Sequence, residues 1–332
     1  MTTRVHITVD TEFNIGGAFE DPENRQPVGP PAVYCEREGR SEGLGYLLDT
    51  LEQHGIRGTF FVEALNTCYF GDEPMGRIAR EIHARGHEVQ LHLHPCWTYF
   101  EQPDWKEQLT RNPPNDDMTR RDHDELVRLI ELGQQAFRRW ALPEPRVLRT
   151  GGLRVGLGVY RAMRECGMPM ASNVGLAIFR PEEPELHLFS GDHEIDGVRE
   201  FPVTSYIDWR LPGKQHHKTL TVTGCSWPEI RSLLRRAQAN RIPDVVLLTH
   251  PFEFVKHDSD PSKPPRIDRI NRHRLEKLCA YIAAEPGLEP GCIGDSPESA
   301  TGDHRNMALE VPLQQTLARM LVNRFNQASI GV

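Results

Sequence analysis

An alternation of two hydrophobic periods most limits the folds open to this chain. Short runs read as strands, either alternating apolar and polar residues or apolar throughout. They are RVHITVD at 4–10, RGTFFVE at 57–63, HEVQLHLH at 87–94, RVLR at 146–149 and DVVLLTH at 244–250. Segments of helical period lie between them. Ser41 is placed to cap a helix that ends at Gly55, and a helix around 74–85 stops at Gly86. A long amphipathic helix reaches Trp140, and a shorter one follows at about 157–166. Strands separated by helices favour a parallel sheet with right-handed crossovers, either closed as a barrel or open. In both forms ligands bind beyond the carboxyl ends of the strands. The reactive residues should therefore lie at those ends.

The rest of the chain is less regular. MPMASNV, VREFPVT and TLTVTG, between 168 and 224, read as strands with turn-rich connections, and QHHK at 215–218 as a loop. Ser226 can cap a helix to about Asn240, RHRLEKLCAYIAA is the next helix, and EVPLQQTLARMLVNRFNQ is a final amphipathic one. Residues 96–118, rich in Pro, Asn and Asp, look like an inserted loop.

Composition narrows the function. With 38% apolar and 26% charged residues, a 332-residue chain can bury a sizeable core. A net charge of −8 argues against nucleic-acid binding, which needs basic surface to release counterions. The basic stretch from Arg231 to Arg241 alternates with Leu233, Leu234 and Ala237, as the solvated face of a helix does. Seven scattered cysteines without a C-x-x-C point to a reducing compartment rather than a disulfide framework. No apolar leader opens the sequence and no run has the roughly 18 to 20 apolar residues that span a bilayer, so the expectation is a cytoplasmic protein.

The reactive residues do lie at strand ends. Asp10 and Glu12 end the first strand and share parity with His6 and Thr8, opposite Val5, Ile7 and Val9. His92 and His94 end the third in phase with Gln90. Arg149 ends the fourth, before Thr150, Gly151 and Gly152, and His250 follows the apolar run VVLLT. Any one of these is ordinary for a strand end; together they point to a shared site. Two imidazoles and a carboxylate leave a catalytic metal an open position. Zinc, cobalt, nickel and iron(II) all suit such ligands. The second carboxylate is then free to act as a base that Arg149 orients, and a histidine from another strand can act as the acid.

The order D-x-E, G-H-E-x-x-x-H-x-H-P, R-x-G-G and L-x-H-P resembles the polysaccharide deacetylase family, carbohydrate esterase family 4, over about residues 4 to 285. The resemblance implies an α/β fold, a distorted (β/α) barrel of about seven strands with one divalent metal, zinc first among the candidates. It implies Asp10 as base, Glu12 as acidic ligand, Arg149 as the residue that holds the base and His250 as general acid. The pattern departs from the family in two places. Thr11 separates the two acids, and the position four after His92 is Cys96, so His94 and Cys96 compete to join His92. Strand parity favours His94. Asp10 remains an alternative acidic ligand. The H-x-H-P pattern is closer to a divergent branch associated with lipopolysaccharide biosynthesis, and Asp208-Trp209 is similar to the family's fourth motif, which supports the acid histidine.

The expected activity is metal-dependent removal of an acyl group from an N-acylated sugar or polysaccharide precursor. Hydrolysis of a small non-sugar amide and a silent carbohydrate-binding relative are the alternatives. The expected organisation is a barrel over 1–290 with rim insertions near 96–118 and 176–224, then an extension over 291–332. The first insertion follows the metal strand and should shape substrate choice, with Tyr99, Phe100 and Trp105 either stacking on a sugar or anchoring the loop. The glycines of TGGLRVGLG read as a backbone turn beside the site rather than a phosphate loop. The sequence does not set the sugar, the acyl group or the oligomeric state.

Overall fold

In the computed structural model, which describes residues 2–257, 263–297 and 306–328, strand β1 (Thr3–Thr11) lies second from one edge of the main sheet. Its β-branched residues alternate with polar ones, and both of its edges are paired. The main sheet also contains β2 (Thr59–Glu63), β3 (Glu88–Leu93), β4 (Val147–Thr150), β5 (Met170–Ala171), β6 (His193–Ile195) and β7 (Val198–Glu200). A hairpin of β8 (Ser205–Leu211) and β9 (Lys214–Thr219) lies apart from it. Then come β10 (Asp244–Thr249) and β11 (Leu288–Pro290). The order across the sheet is β10-β1-β2-β3-β4-β5-β7-β6, with β11 beside the start of β1. Every neighbour is parallel except β6 against β7.

Helices α1 (Leu44–Gln53), α2 (Asp72–Ala84), α3 (His123–Arg139), α4 (Leu157–Glu165), α5 (Trp227–Ala239) and α6 (Arg269–Ala284) supply the crossovers. Their apolar faces and the outward side chains Val5, Ile7, Val9, Val62, Leu91 and Leu148 form the larger core. The inward side chains build a second, smaller core that includes Phe61, Val147, Met170, Phe201, Val246 and Leu248. The period-two split of each strand thus becomes two cores on opposite faces of one curled sheet. Among the described residues no continuous ladder closes the curl. It is a partly open half-barrel rather than the closed barrel that parallel strands could form, with isolated bridges from Val203 to Val246 and from Thr221 to Leu248 across the opening.

Several expectations change at the edges. MPMASNV contributes only Met170–Ala171, because beyond Ser172 the amides of Asn173 and Val174 turn onto the buried Glu200 carboxylate. QHHK is strand rather than loop, paired antiparallel with β8, while TLTVTG contributes only Thr219 to that strand and the isolated Thr221 bridge. Ser41 does not cap α1 as an N-cap residue, since Gly43 precedes the helix. Its hydroxyl accepts from the Gly45 amide and donates to the Tyr34 carbonyl. Ser226 does cap α5, in a reciprocal box with Glu229.

The last helix, α7 (Leu313–Ala328), packs on the insertion hairpin rather than the sheet. Thr316 Oγ1 donates to the Asp208 carbonyl at 2.5 Å, and Arg319 bridges Asp208 and Glu229 at 2.7 and 2.8 Å. Ile293 is buried in the inner core, with its amide on Thr59 Oγ1.

Candidate metal and acid–base site

All six predicted residues lie at the carboxyl ends of β1, β3, β4 and β10. In register, His92 faces Glu63 on one side and Arg149 on the other, while Val9 faces Thr249. The strands therefore bring together residues as far apart as Asp10 and His250 without help from any loop.

Glu12, His92 and His94 form one group. One Glu12 carboxylate oxygen lies 3.3 Å from His92 Nε2 and 2.8 Å from His94 Nε2. Both rings are committed on their far sides. His92 Nδ1 donates to the Arg149 carbonyl at 2.9 Å, and His94 Nδ1 donates to Asp116 at 2.5 Å. With protons fixed on both Nδ1 atoms, both Nε2 lone pairs face the same carboxylate, the arrangement that presents imidazoles to a metal. Burial pushes the Glu12 carboxyl up, but His94 and His92 outweigh it and hold Glu12 well below the usual carboxylate range. Burial likewise lowers His94, yet Glu12 and Asp116 raise it well above the ordinary histidine value. A site that draws a proton onto a buried imidazole attracts positive charge, and a divalent cation on this two-nitrogen, one-oxygen donor set satisfies the same field.

Cys96 belongs to a second group, with His94 and Asp116. Burial pushes its thiol far up, reinforced by Asp116 and Glu63. The group that contains Glu12 and His92 takes in His94 and not Cys96, which favours His94 beside His92.

Beside the metal group sits the Asp10–Arg149 pair. Arg149 is fully buried in the inner core, its guanidinium 4.0 Å from the Phe61 ring centroid. It donates to Asp10 at 2.7 Å, to Thr8 Oγ1 at 2.8 Å, and to the carbonyl and hydroxyl of Ser172 at 3.0 and 2.6 Å. These contacts leave the guanidinium little freedom, and Asp10 is fixed with it. On the other side His250 Nδ1 lies 3.3 Å from Glu253, which also accepts from Thr249 Oγ1 and the His250 amide. Burial lowers His250, but Glu253, with Glu12 and Asp10 behind it, raises it to about 9. A histidine protonated at neutral pH can serve as an acid.

Sequence reasoning missed several supports. Asp116 reaches the site from the inserted loop and also accepts from the Cys96 amide at 3.2 Å. Buried Glu63 accepts from the amides of Leu65 and His94, fixing the turn that carries the second histidine. Gly151 is needed because a Cβ there would lie 2.4 Å from the His94 ring. Glu253 was legible only as the fourth residue of H-P-F-E. Asp208 does not support His250. It is held by Arg319 and by His216 at 2.6 Å, under α7. Tyr99 and Phe100 are buried in an aromatic cluster with Phe19, and Trp105 packs edge-on against both phenylalanines, so these rings anchor the loop.

Residues 37–171 match the family model of polysaccharide deacetylases. That segment includes His92, His94 and Arg149. No curated protein sequence matches the chain. Among solved structures, a Mycobacterium smegmatis protein described as a polysaccharide deacetylase aligns with TM-score 0.50 and 17% identity, over 88% of each chain. A 4-alpha-glucanotransferase of Thermococcus litoralis aligns with TM-score 0.50 and 11% identity, over 99% of this chain and 47% of its own. A family 4 carbohydrate esterase of Streptomyces lividans aligns with TM-score 0.44 and 14% identity, over 92% of this chain and 98% of its own. The glucanotransferase likeness shows that fold alone does not choose the reaction. The chain shares the fold of a polysaccharide deacetylase, and its residues 37–171 match that family's model.

Proposed function

We propose that this protein is a metal-dependent deacetylase that cleaves the amide of an N-acylated sugar or polysaccharide-type substrate. The observation that carries the reading is the convergence of both histidine Nε2 atoms on Glu12, with Asp10–Arg149 and His250–Glu253 beside them. Glu12, His92 and His94 hold the cation, with zinc favoured and cobalt, nickel or iron(II) also suited. When bound, the cation polarises the amide carbonyl and makes water more acidic. Asp10, oriented by Arg149, takes the proton from the attacking water. His250, kept protonated by Glu253, gives a proton to the departing nitrogen, so that the amine leaves neutral.

The seven scattered cysteines without a C-x-x-C support a cytoplasmic setting, and the H-x-H-P pattern supports kinship with the lipopolysaccharide-biosynthesis branch. Among the described residues no helix is long and apolar enough to cross a membrane. Elemental analysis of the purified protein, followed by amine release across a panel of N-acyl sugars, tests the reading. One metal per chain and release from at least one such sugar are expected. Stoichiometric metal without release from any of them would remove the sugar-deacetylase assignment.

A further inference from the structure

A cavity of about 740 Å³ is lined by Arg37, Arg40, Arg266 and Arg269 together with Glu38 and Glu42. Its position follows from topology. Arg37 and Arg40 lie on a small hairpin between the end of β1 and the start of α1. Arg266 and Arg269 lie between the end of β10 and the first turn of α6. Both segments leave carboxyl ends of parallel strands, which is the active-site rim. Both are tied to the far end of the helical turn Pro251–Phe254, which follows His250. Ile267 pairs with Val255, and Arg272 ties Glu42 to the Phe254 carbonyl.

The charge arrangement calls for an anion. Arg37 and Arg40 are directly opposite each other in the hairpin, a cross-strand pair of like charges that opposes its own pairing. The turn between them is equally demanding, since Glu38 and Gly39 both have positive φ, 52° and 75°. Glu38 lies 3.2 Å from Arg37, but its side chain is 80% exposed and neutralises little. Glu42 is engaged by Arg272 outside the cavity. Arg40 and Arg269 make no side-chain hydrogen bond or ion pair among the described residues. This concentration of guanidinium groups stands out in a chain whose net charge is −8.

We propose that this cavity is a subsite for a phosphate group carried by the N-acylated sugar. The assignment rests on the deacetylase reading. A planar carboxylate is satisfied by one bidentate arginine, whereas a tetrahedral dianion can engage several guanidiniums at once. The volume leaves room for whatever the phosphate is joined to, so both a sugar phosphate and a phosphate-linked conjugate fit.

The test separates the anion site from the chemistry. The full chain is stripped of metal, so that phosphate has no cation to bind, and titrated calorimetrically with inorganic phosphate at constant ionic strength. Saturable binding is expected, with chloride and acetate unable to replace phosphate. The double variant Arg40→Gln, Arg269→Gln should weaken it at least tenfold with an unchanged melting curve. In the metal-loaded enzyme, N-acetylglucosamine 1-phosphate should show a lower KM than N-acetylglucosamine. The double variant should erase that difference and leave kcat/KM for the uncharged sugar unchanged. Absent phosphate binding, or binding the double variant does not weaken, overturns the proposal. Equal KM for the two sugars overturns the substrate role and leaves free phosphate as the ligand. If neither sugar is turned over while phosphate binding follows the arginines, the deacetylase reading falls and takes the substrate role with it, and the anion site alone survives.

Discussion

Two regions of this molecule bury clusters of opposite charge, and they dispose of that charge differently. Under α7, Arg319 lies between Asp208 and Glu229; Glu229 also accepts from the Ser226 amide and hydroxyl, and Asp208 also meets His216. All three central side chains are at most 8% exposed, and their partners point at one another. That cluster is closed. At the strand ends the histidine protons point away from the centre and their lone pairs toward it, and Glu12 and His94 remain about one-fifth exposed. Burial and charge are common to both clusters. Convergence of donor atoms on a point open to solvent belongs to the rim alone, and it separates a site from a clasp.

The largest expected effect tests this distinction directly. His92→Ala should abolish stoichiometric metal and turnover, while the fold persists, because the side chain belongs to neither apolar core. Cys96→Ser should keep the metal. Elemental analysis and a melting curve check both, and a His92→Ala protein with full metal would make the rim another structural cluster. Next, Asp10→Asn and His250→Ala should each lower kcat on the order of a hundredfold or more with metal retained. Loss of metal from Asp10→Asn would make Asp10 a ligand and reassign Glu12.

The clasp should respond in the opposite sense. Arg319→Ala leaves Asp208 and Glu229 buried without their cation, a change that costs roughly 3–5 kcal/mol in folding stability. Turnover per folded molecule should not change. Equilibrium denaturation and an active-site-normalised rate measure the two quantities separately. A large fall in turnover at unchanged stability would show the clasp acting on the chemistry.

The contrast also explains what the sequence could and could not reveal. The ends of β1, β3, β4 and β10 were legible because period two fixes which side chains share a face, and a parallel sheet aligns strand ends however far apart they are in sequence. Asp10 reaching Arg149 needs only that rule. Asp208 reaching Arg319 depends on how an insertion hairpin and a terminal helix dock, which no local period encodes, so the Asp-Trp pair was credited to the wrong site. Asp116 was invisible for the same reason, as a loop residue whose partner is set by tertiary packing. The strands were clear where apolar runs were long, and unclear in 168–224, where Glu200 diverts backbone amides from the ladder.

A smaller effect is expected from Asp116→Asn. The carboxylate fixes the His94 tautomer and increases its basicity, and losing such a partner typically weakens metal binding by about tenfold to a hundredfold. A chelator competition titration measures it. Unchanged affinity would show that His94 is oriented by packing against Gly151 alone.

The smallest effect concerns the proton on His250. Its pKa is lowered by burial but raised overall to about 9, chiefly by Glu253. An acid with a raised pKa is protonated below that value and lost as pH rises through it, so activity should decline on the alkaline side. Glu253→Gln removes the charge but keeps a carbonyl oxygen that can accept from Thr249 Oγ1 and the His250 amide, so the turn should stay in place. The alkaline limb should then move down toward the ordinary histidine value of roughly 6.5. A bound cation also lowers this pKa, but it does so in both proteins, and the difference between their kcat profiles isolates Glu253. At pH 6 the variant should approach the parent rate, and at pH 8 it should fall well below it. A merely structural loss would depress the rate equally at every pH, and an unshifted limb would mean that Glu253 positions His250 without holding its proton.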